Sequence, residues 1–211
     1  MNRIIFDTET ISLNKRFIYN IGYVITDGDG KVLLERDLVI RQVYDNKPLF
    51  ATSYYADKRP LYTKYMRARR TKKVSWGEAC RIMCKDIKEF NVADGYAYNS
   101  DFDEQAFYFT HCFFGNKRRP LDGIKIHDIM DYIKVITETE DYKSFCKQYG
   151  FITKHATPRA KQTAESVYAY LTNNGEYKEE HTALADSRIE SFILTKCLEL
   201  RETEKIKSPL T

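Results

Sequence analysis

The tetrapeptide Asp27-Gly28-Asp29-Gly30 restricts this chain more than any other feature. It separates two apolar runs, residues 20–27 and 31–41, rich in Ile, Val, Leu and Tyr. Glycine reaches the positive φ of a tight reversal without steric penalty, so the pattern predicts a β-hairpin. With the short apolar run at 3–6, the chain is expected to open with three antiparallel strands. The pattern then changes period. Ser75-Trp76-Gly77-Glu78 has the form of a capping box, and Trp76, Ala79, Cys80, Met83, Ile87 and Phe90 follow at helical spacing, predicting a helix over 76–90. A strand is expected over 92–98, a helix over 103–114 ending at Gly115, and a strand over 123–127. Helices are expected near 129–136, 141–149, 161–172 and 184–202. Residues 42–74 carry no clean period and read as a loop with a short helix near 61–70. Three strands, then alternating helix and strand, then helices, predict one α/β domain with a mixed sheet covered on both faces.

Composition narrows the class. At 211 residues the chain can bury a core without disulfides. It is 43% hydrophobic and 30% charged, which excludes collagen-like, low-complexity and membrane-spanning classes. The five cysteines form no C-x-x-C pair, and the N-terminus has no signal-peptide pattern, so a reducing cytoplasm is expected. Cys80 and Cys84 stand one helical turn apart and read as small core residues. The net charge of +4 names no partner by itself. Its distribution says more: Arg67, Arg69, Arg70, Lys72 and Lys73 crowd one segment, and Lys117-Arg118-Arg119 forms a second cluster.

Three short motifs carry chemistry. In Phe6-Asp7-Thr8-Glu9-Thr10, strand alternation puts Asp7 and Glu9 on one face. Neighbouring carboxylates repel, and a hard divalent cation resolves the repulsion. Asn99-Ser100-Asp101-Phe102-Asp103 follows a predicted strand and opens a helix, beside the crevice where α/β sheets place their sites. Either Asp101 or Asp103 could be a ligand there, and Asp and Asn also serve as helix caps. The third motif, His181-Thr182-Ala183-Leu184-Ala185-Asp186, leads into the last long helix. Within one helix, five residues would separate His181 and Asp186 by about 140°, so a shared site requires His181 to lie on the preceding loop. His111, His127 and His155 have no acidic partner at this spacing and read as structural.

In this order the motifs resemble the DEDD superfamily of 3′–5′ exonucleases, in the subclass whose third motif carries a histidine. Relatives in that subclass include proofreading exonuclease subunits, RNase T and oligoribonuclease. The resemblance runs from Asp7 to about Leu198 and implies an RNase H-like fold, a five-stranded mixed sheet with helices on both faces, in a single domain over 1–211. It implies that Asp7, Glu9, Asp103 and Asp186 hold two Mg²⁺ or Mn²⁺ ions and that His181 is the general base. It also implies that Thr10, Ile11, Leu13 and Asn99 contact the substrate. Ile11-Ser12-Leu13 stands where many relatives have Thr-Gly and then Leu or Met. Tyr98 stands where some have His, and segment 42–74 is longer than a minimal member needs.

The expected reaction removes nucleotides singly from the 3′ end of single-stranded DNA or RNA, by two-metal catalysis, releasing nucleoside 5′-monophosphates. The basic clusters would track phosphates. A polymerase or a second copy of the chain is an expected partner, and no membrane is. Two other readings compete: a module of the same fold that holds a nucleic-acid end without cutting it, and an RNase H-like endonuclease. All five positions of the motif are filled, which argues against the first. The second has no need of a histidine at this spacing.

Overall fold

The computed structural model describes residues 1–14, 16–115, 117 and 119–207, with side chains to 203. Three strands, β1 (Asn2–Thr10), β2 (Ile18–Thr26) and β3 (Val32–Ile40), form the expected antiparallel meander. The β2–β3 reversal closes on Asp27, whose Oδ1 accepts from the N–H groups of Asp29 (3.0 Å) and Lys31 (2.9 Å). Gly30 turns at φ +84°, a value that favours glycine.

Helices α1 (Arg41–Tyr44), α2 (Lys47–Phe50) and α3 (Arg59–Arg67) occupy the segment that lacks a sequence period. After them comes β4 (Lys72–Val74), parallel to β3. This strand makes the sheet six-stranded rather than five-stranded, in the order β4-β3-β2-β1-β5-β6. Three residues, two of them lysine, carry too little alternation to reveal a strand in sequence.

Helix α4 (Trp76–Glu89) starts as predicted, with the Ser75 side chain accepting from the Glu78 N–H at 3.2 Å. The Glu78 carboxylate turns to Lys72 instead of closing the box. Strand β5 (Val92–Ala97) pairs parallel with β1, and β6 (Lys125–Asp128) pairs parallel with β5. Between them α5 (Ser100–Phe114) begins three residues earlier than its apolar pattern predicts. The helix expected near 129–136 is a 3₁₀ turn over Ile129–Asp131 followed by the short α6 (Lys134–Thr137). Helices α7 (Glu140–Tyr149), α8 (Ala164–Leu171) and α9 (Ala183–Lys207) complete the chain.

The period of two along β1 divides the core. Ile4 and Phe6 pack with Trp76, Met83 and Phe107 on one face, while Ile5 packs with Tyr142, Val167 and Ile193 on the other. Among the described residues no helix is long and apolar enough to cross a membrane.

The start of α9 lies directly on β2. A Cβ at Gly22 would fall 2.0 Å from the Ala183 carbonyl carbon, so only glycine admits this approach. Buried Asn20 accepts from the Ala183 N–H at 3.0 Å, and Ser187 Oγ donates to the Gly22 carbonyl at 3.0 Å. Gly22 pairs with Asp7 across the β1–β2 ladder. These contacts bring the third sequence motif to the level of the first.

Candidate metal centre

The site forms where the C-terminal half of β1 meets the first turns of α9 and α5. Asp7 and Glu9 share a face of β1, and Asp186 stands in the first turn of α9. One oxygen from each of these three lies within 4.8 Å of the other two. Glu179, His181 and Asp186 form a second such group, so Asp186 joins the two. His181 does lie on the loop before α9, as a shared site requires.

Asp103 belongs to neither group. It is buried in the first turn of α5, and Thr8, on the opposite face of β1 from Asp7, donates to its Oδ1 at 2.6 Å. Within α5, Asp101 is exposed and Asp103 is turned inward. Asn99 stands just before the helix. Its backbone is left-handed (φ +59°), and its N–H donates to Asp128 Oδ1 at 2.9 Å.

Burial and mutual repulsion raise the carboxyl pKa values. Asp7 is pushed well up by burial and then by Asp103, Glu190, Asp186 and Glu9. Burial lifts Glu9 to about 8, against an opposing pull from the Lys58 ammonium. Asp186 rises to about 8 through burial, Glu179 and Glu9. Asp103 rises to about 7 through burial, moderated by its hydrogen bonds with Thr8. Burial and the nearby Lys58 lower the His181 pKa.

Sequence reasoning did not select two of these acids. Glu190, one turn beyond Asp186 on α9, is buried with the Asp186 cluster, and burial drives its pKa well up. Glu179, two residues before His181, rises to about 7 through burial. The i, i+4 spacing of Asp186 and Glu190 was the available signal. Among the described residues, Asp186 Oδ1 and Glu190 Oε2 are buried without a hydrogen-bond partner. Buried, unpartnered carboxylate oxygens in a nearly all-oxygen set fit a hard divalent cation such as Mg²⁺ or Mn²⁺.

A cavity of about 420 Å³ opens over these acids, with Tyr55, Tyr98, Asn99 and Gln162 among its walls. A neighbouring cavity of about 660 Å³ is lined by Thr10, Ile11, Leu13, Tyr54 and Phe102, and Tyr55 borders both. Leu13 is 74% exposed, whereas the Ile11 side chain is in the core, so contact with a ligand falls to the main chain there. A groove of about 880 Å³ carries Lys143, Lys147, Arg159 and Lys161 and shares Gln162 with the acid cavity.

The basic cluster at 67–73 lies elsewhere. It borders β4, three strands from β1, and Lys72 and Lys73 are paired with Glu78 (2.9 Å) and Asp45 (2.8 Å). Of the second cluster, Arg118 lies outside the described residues. His127 is structural, 3.1 Å from Asp94 and stacked on Tyr96.

The raised pKa values predict how stability depends on pH. Unfolded, Glu9, Asp103, Glu179 and Asp186 titrate near 4. Folded and metal-free, they hold protons up to about 7 or 8. Between those limits the folded chain binds more protons than the unfolded one, so stability falls as pH rises. Melting in EDTA should therefore occur at lower temperature at pH 8 than at pH 5. Saturating Mn²⁺ should stabilise the fold by about 2.7 kcal/mol at a hundredfold excess over Kd. Because metal displaces protons, the gain should be larger at pH 8. A melting temperature indifferent to both pH and Mn²⁺ would contradict this site.

The sequence matches no protein-family model and no curated protein. Among solved structures the chain is similar to E. coli exonuclease I. One such structure is a metal-free complex with single-stranded DNA, at 14% identity and a TM-score of 0.51, covering 98% of this chain and 40% of that one. Another is the complex with a dA16 oligonucleotide, at 14% identity and a TM-score of 0.53, covering 98% and 42%. A further exonuclease I structure matches at 14% identity and a TM-score of 0.50, covering 96% and 41%. The chain thus spans about two fifths of the length of those proteins. At this identity the likeness is one of fold: a mixed sheet with flanking helices, consistent with the RNase H-like architecture that the motifs imply.

Proposed function

We propose that this chain is a metal-dependent 3′–5′ exonuclease domain that releases nucleoside 5′-monophosphates from single-stranded nucleic-acid ends. The observation that carries the reading is the convergence of Asp7, Glu9 and Asp186 within 4.8 Å, with His181 grouped on the same Asp186. Asp7, Glu9 and Asp186 would hold divalent cations, with Asp103 completing the set. When bound, Mg²⁺ or Mn²⁺ would polarise the scissile phosphate and acidify the attacking water. His181 takes the proton of that water, and its lowered pKa keeps the imidazole neutral and basic near pH 7. The cavity beside Thr10, Ile11 and Leu13 seats the terminal nucleoside, and Asn99 meets the strand from the wall of the acid cavity. The groove of Lys147, Arg159 and Lys161 receives the phosphates further along.

A circular substrate separates this reading from the endonuclease. Linear single-stranded DNA should be degraded in Mg²⁺ and spared in EDTA, and a single-stranded circle should survive both. Cleavage of the circle would establish the endonuclease, and binding of the linear strand without cleavage the end-holding module.

The groove yields its own test. In the Asp7→Asn background, which should bind without cutting, exchanging Lys147, Arg159 and Lys161 for Ala should weaken binding. The slope of log K against log salt should fall by about 0.7 for each single-strand phosphate that is no longer neutralised. Exchanging Arg69 and Arg70 should leave the slope unchanged. The reverse pattern would move the strand to the β4 edge.

A further inference from the structure

The segment between β3 and β4 spans residues 41–71, and part of it reaches the loop before α9. The Tyr55 ring lies nearly parallel to the His181 imidazole, with centroids 4.8 Å apart and planes at 16°. Three residues on, in a 3₁₀ turn over Ala56–Lys58, the Lys58 ammonium sits 4.3 Å from the Tyr55 ring centroid. The same ammonium donates to the Glu180 carbonyl and, at 3.1 Å, to the His181 carbonyl. From α3, Tyr65 OH donates to Glu180 Oε2 at 2.9 Å. One segment thus grips two consecutive residues of the loop by ring, main chain and side chain.

His181 needs such a grip. Its φ of +52° is left-handed, a conformation that costs a non-glycine residue energy and persists only when surrounding contacts impose it. Released, the backbone would relax toward φ below zero and carry the imidazole away from Asp186. The Tyr55 stack fixes the plane of the ring, and Lys58 fixes the peptide groups from which the ring projects.

We propose that Tyr55 and Lys58 are positioning residues that hold His181 in its working orientation, so that the segment between β3 and β4 is a clamp on the general base. The proposal rests on the exonuclease reading of His181. It does not make Tyr55 or Lys58 a proton donor or acceptor in the reaction.

The test compares Tyr55→Ala and Tyr55→Phe with the parent chain on a short single-stranded oligonucleotide, with melting curves confirming that each variant folds. Misplacing a reacting group by about 1 Å can cost about a hundredfold in rate. Tyr55→Ala should therefore lower kcat by about tenfold to a hundredfold and leave KM within about twofold, whereas Lys58→Met, whose ammonium also acts on Glu9 and Asp186, is read by hydrogen exchange alone. Tyr55→Phe keeps the ring and should restore kcat to within about threefold of the parent. Because the clamp acts through His181, adding Tyr55→Ala to His181→Ala should cost nothing further. Independently of catalysis, amide hydrogen exchange over residues 180–183 should accelerate in Tyr55→Ala and Lys58→Met.

Unchanged exchange together with unchanged kcat would overturn the clamp while leaving the exonuclease reading intact. A raised KM at constant kcat would also overturn it, making Tyr55 a platform for substrate. Full additivity with His181→Ala would overturn it as well. A parent chain that cleaves nothing would overturn the exonuclease reading, and the exchange data would then decide whether the grip on the loop exists.

Discussion

Replacing Asp7 by Asn is expected to abolish cleavage and, at the same time, to raise the melting temperature of the metal-free protein at pH 8. Both effects come from one position. The Asp7 carboxyl is buried where the fields of Asp103, Glu190, Asp186 and Glu9 converge. In the metal-free fold burial and these like charges resist its ionisation, whereas the unfolded chain ionises freely at pH 8, and this opposes folding. Asn has the same shape and no charge to lose, so the penalty disappears without opening a cavity. Metal-ion charge stabilisation is worth several kcal/mol in the transition state, so removing a ligand should slow the reaction by about a thousandfold or more. Single-turnover cleavage and melting in EDTA measure the two effects on one preparation. A variant that cuts within about tenfold of the parent rate would remove Asp7 from the site, and a lowered melting temperature would contradict the repulsion argument.

The second large effect is expected at His181. General-base catalysis contributes about 10²–10⁴-fold, and His181→Ala should lose that much. Its half-exposed ring packs on Tyr55 rather than into the core, so the fold should survive its loss. The pH dependence should change in a definite direction. Only the neutral imidazole can accept a proton, so the rate of the parent rises as pH climbs through the His181 pKa. Burial and Lys58 place that limb below the ordinary histidine value of 6.5. In the variant the limb should vanish. The structure also offers an alternative role, because Glu179, His181 and Asp186 could together hold an ion. Metal titration distinguishes the two: near-normal affinity in His181→Ala supports the base, and a large loss makes His181 a ligand.

Much of the molecule was legible in its residues, and the illegible parts share a cause. The β2–β3 hairpin could be read because Asp27-Gly28-Asp29-Gly30 carries its turn chemistry locally. Helix α4 could be read because its cap and its apolar stripe agree. The pairing of Asp7 with Glu9 followed from strand alternation, and the loop position of His181 from the angle it would otherwise make with Asp186. Strand β4 was hidden because its partner, β3, supplies the order that Lys72 and Lys73 do not. Glu190 was hidden because a glutamate on a long helix looks like a solvated charge, and the packing of α9 against β1 and β2 buries it. Which of Asp101 and Asp103 is buried depends on where α5 begins, just after Asn99, whose N–H is held by Asp128, 29 residues away. The basic groove beside the cleft escaped notice because its lysines and Arg159 are spread over α7 and the following loop, whereas the conspicuous run at 67–73 lies at the far edge of the sheet.

The central claim is that the acid cluster removes single nucleotides from a 3′ end. A single-stranded oligonucleotide labelled at its 5′ end, incubated with the protein and Mg²⁺ and sampled over time, tests it most directly. A ladder of labelled products shortening by one nucleotide at a time is expected, each with a 3′ hydroxyl, while unlabelled nucleoside 5′-monophosphates accumulate. Release of the label as a mononucleotide at the earliest times would mean attack from the 5′ end and would contradict the account, as would persistence of the full-length strand.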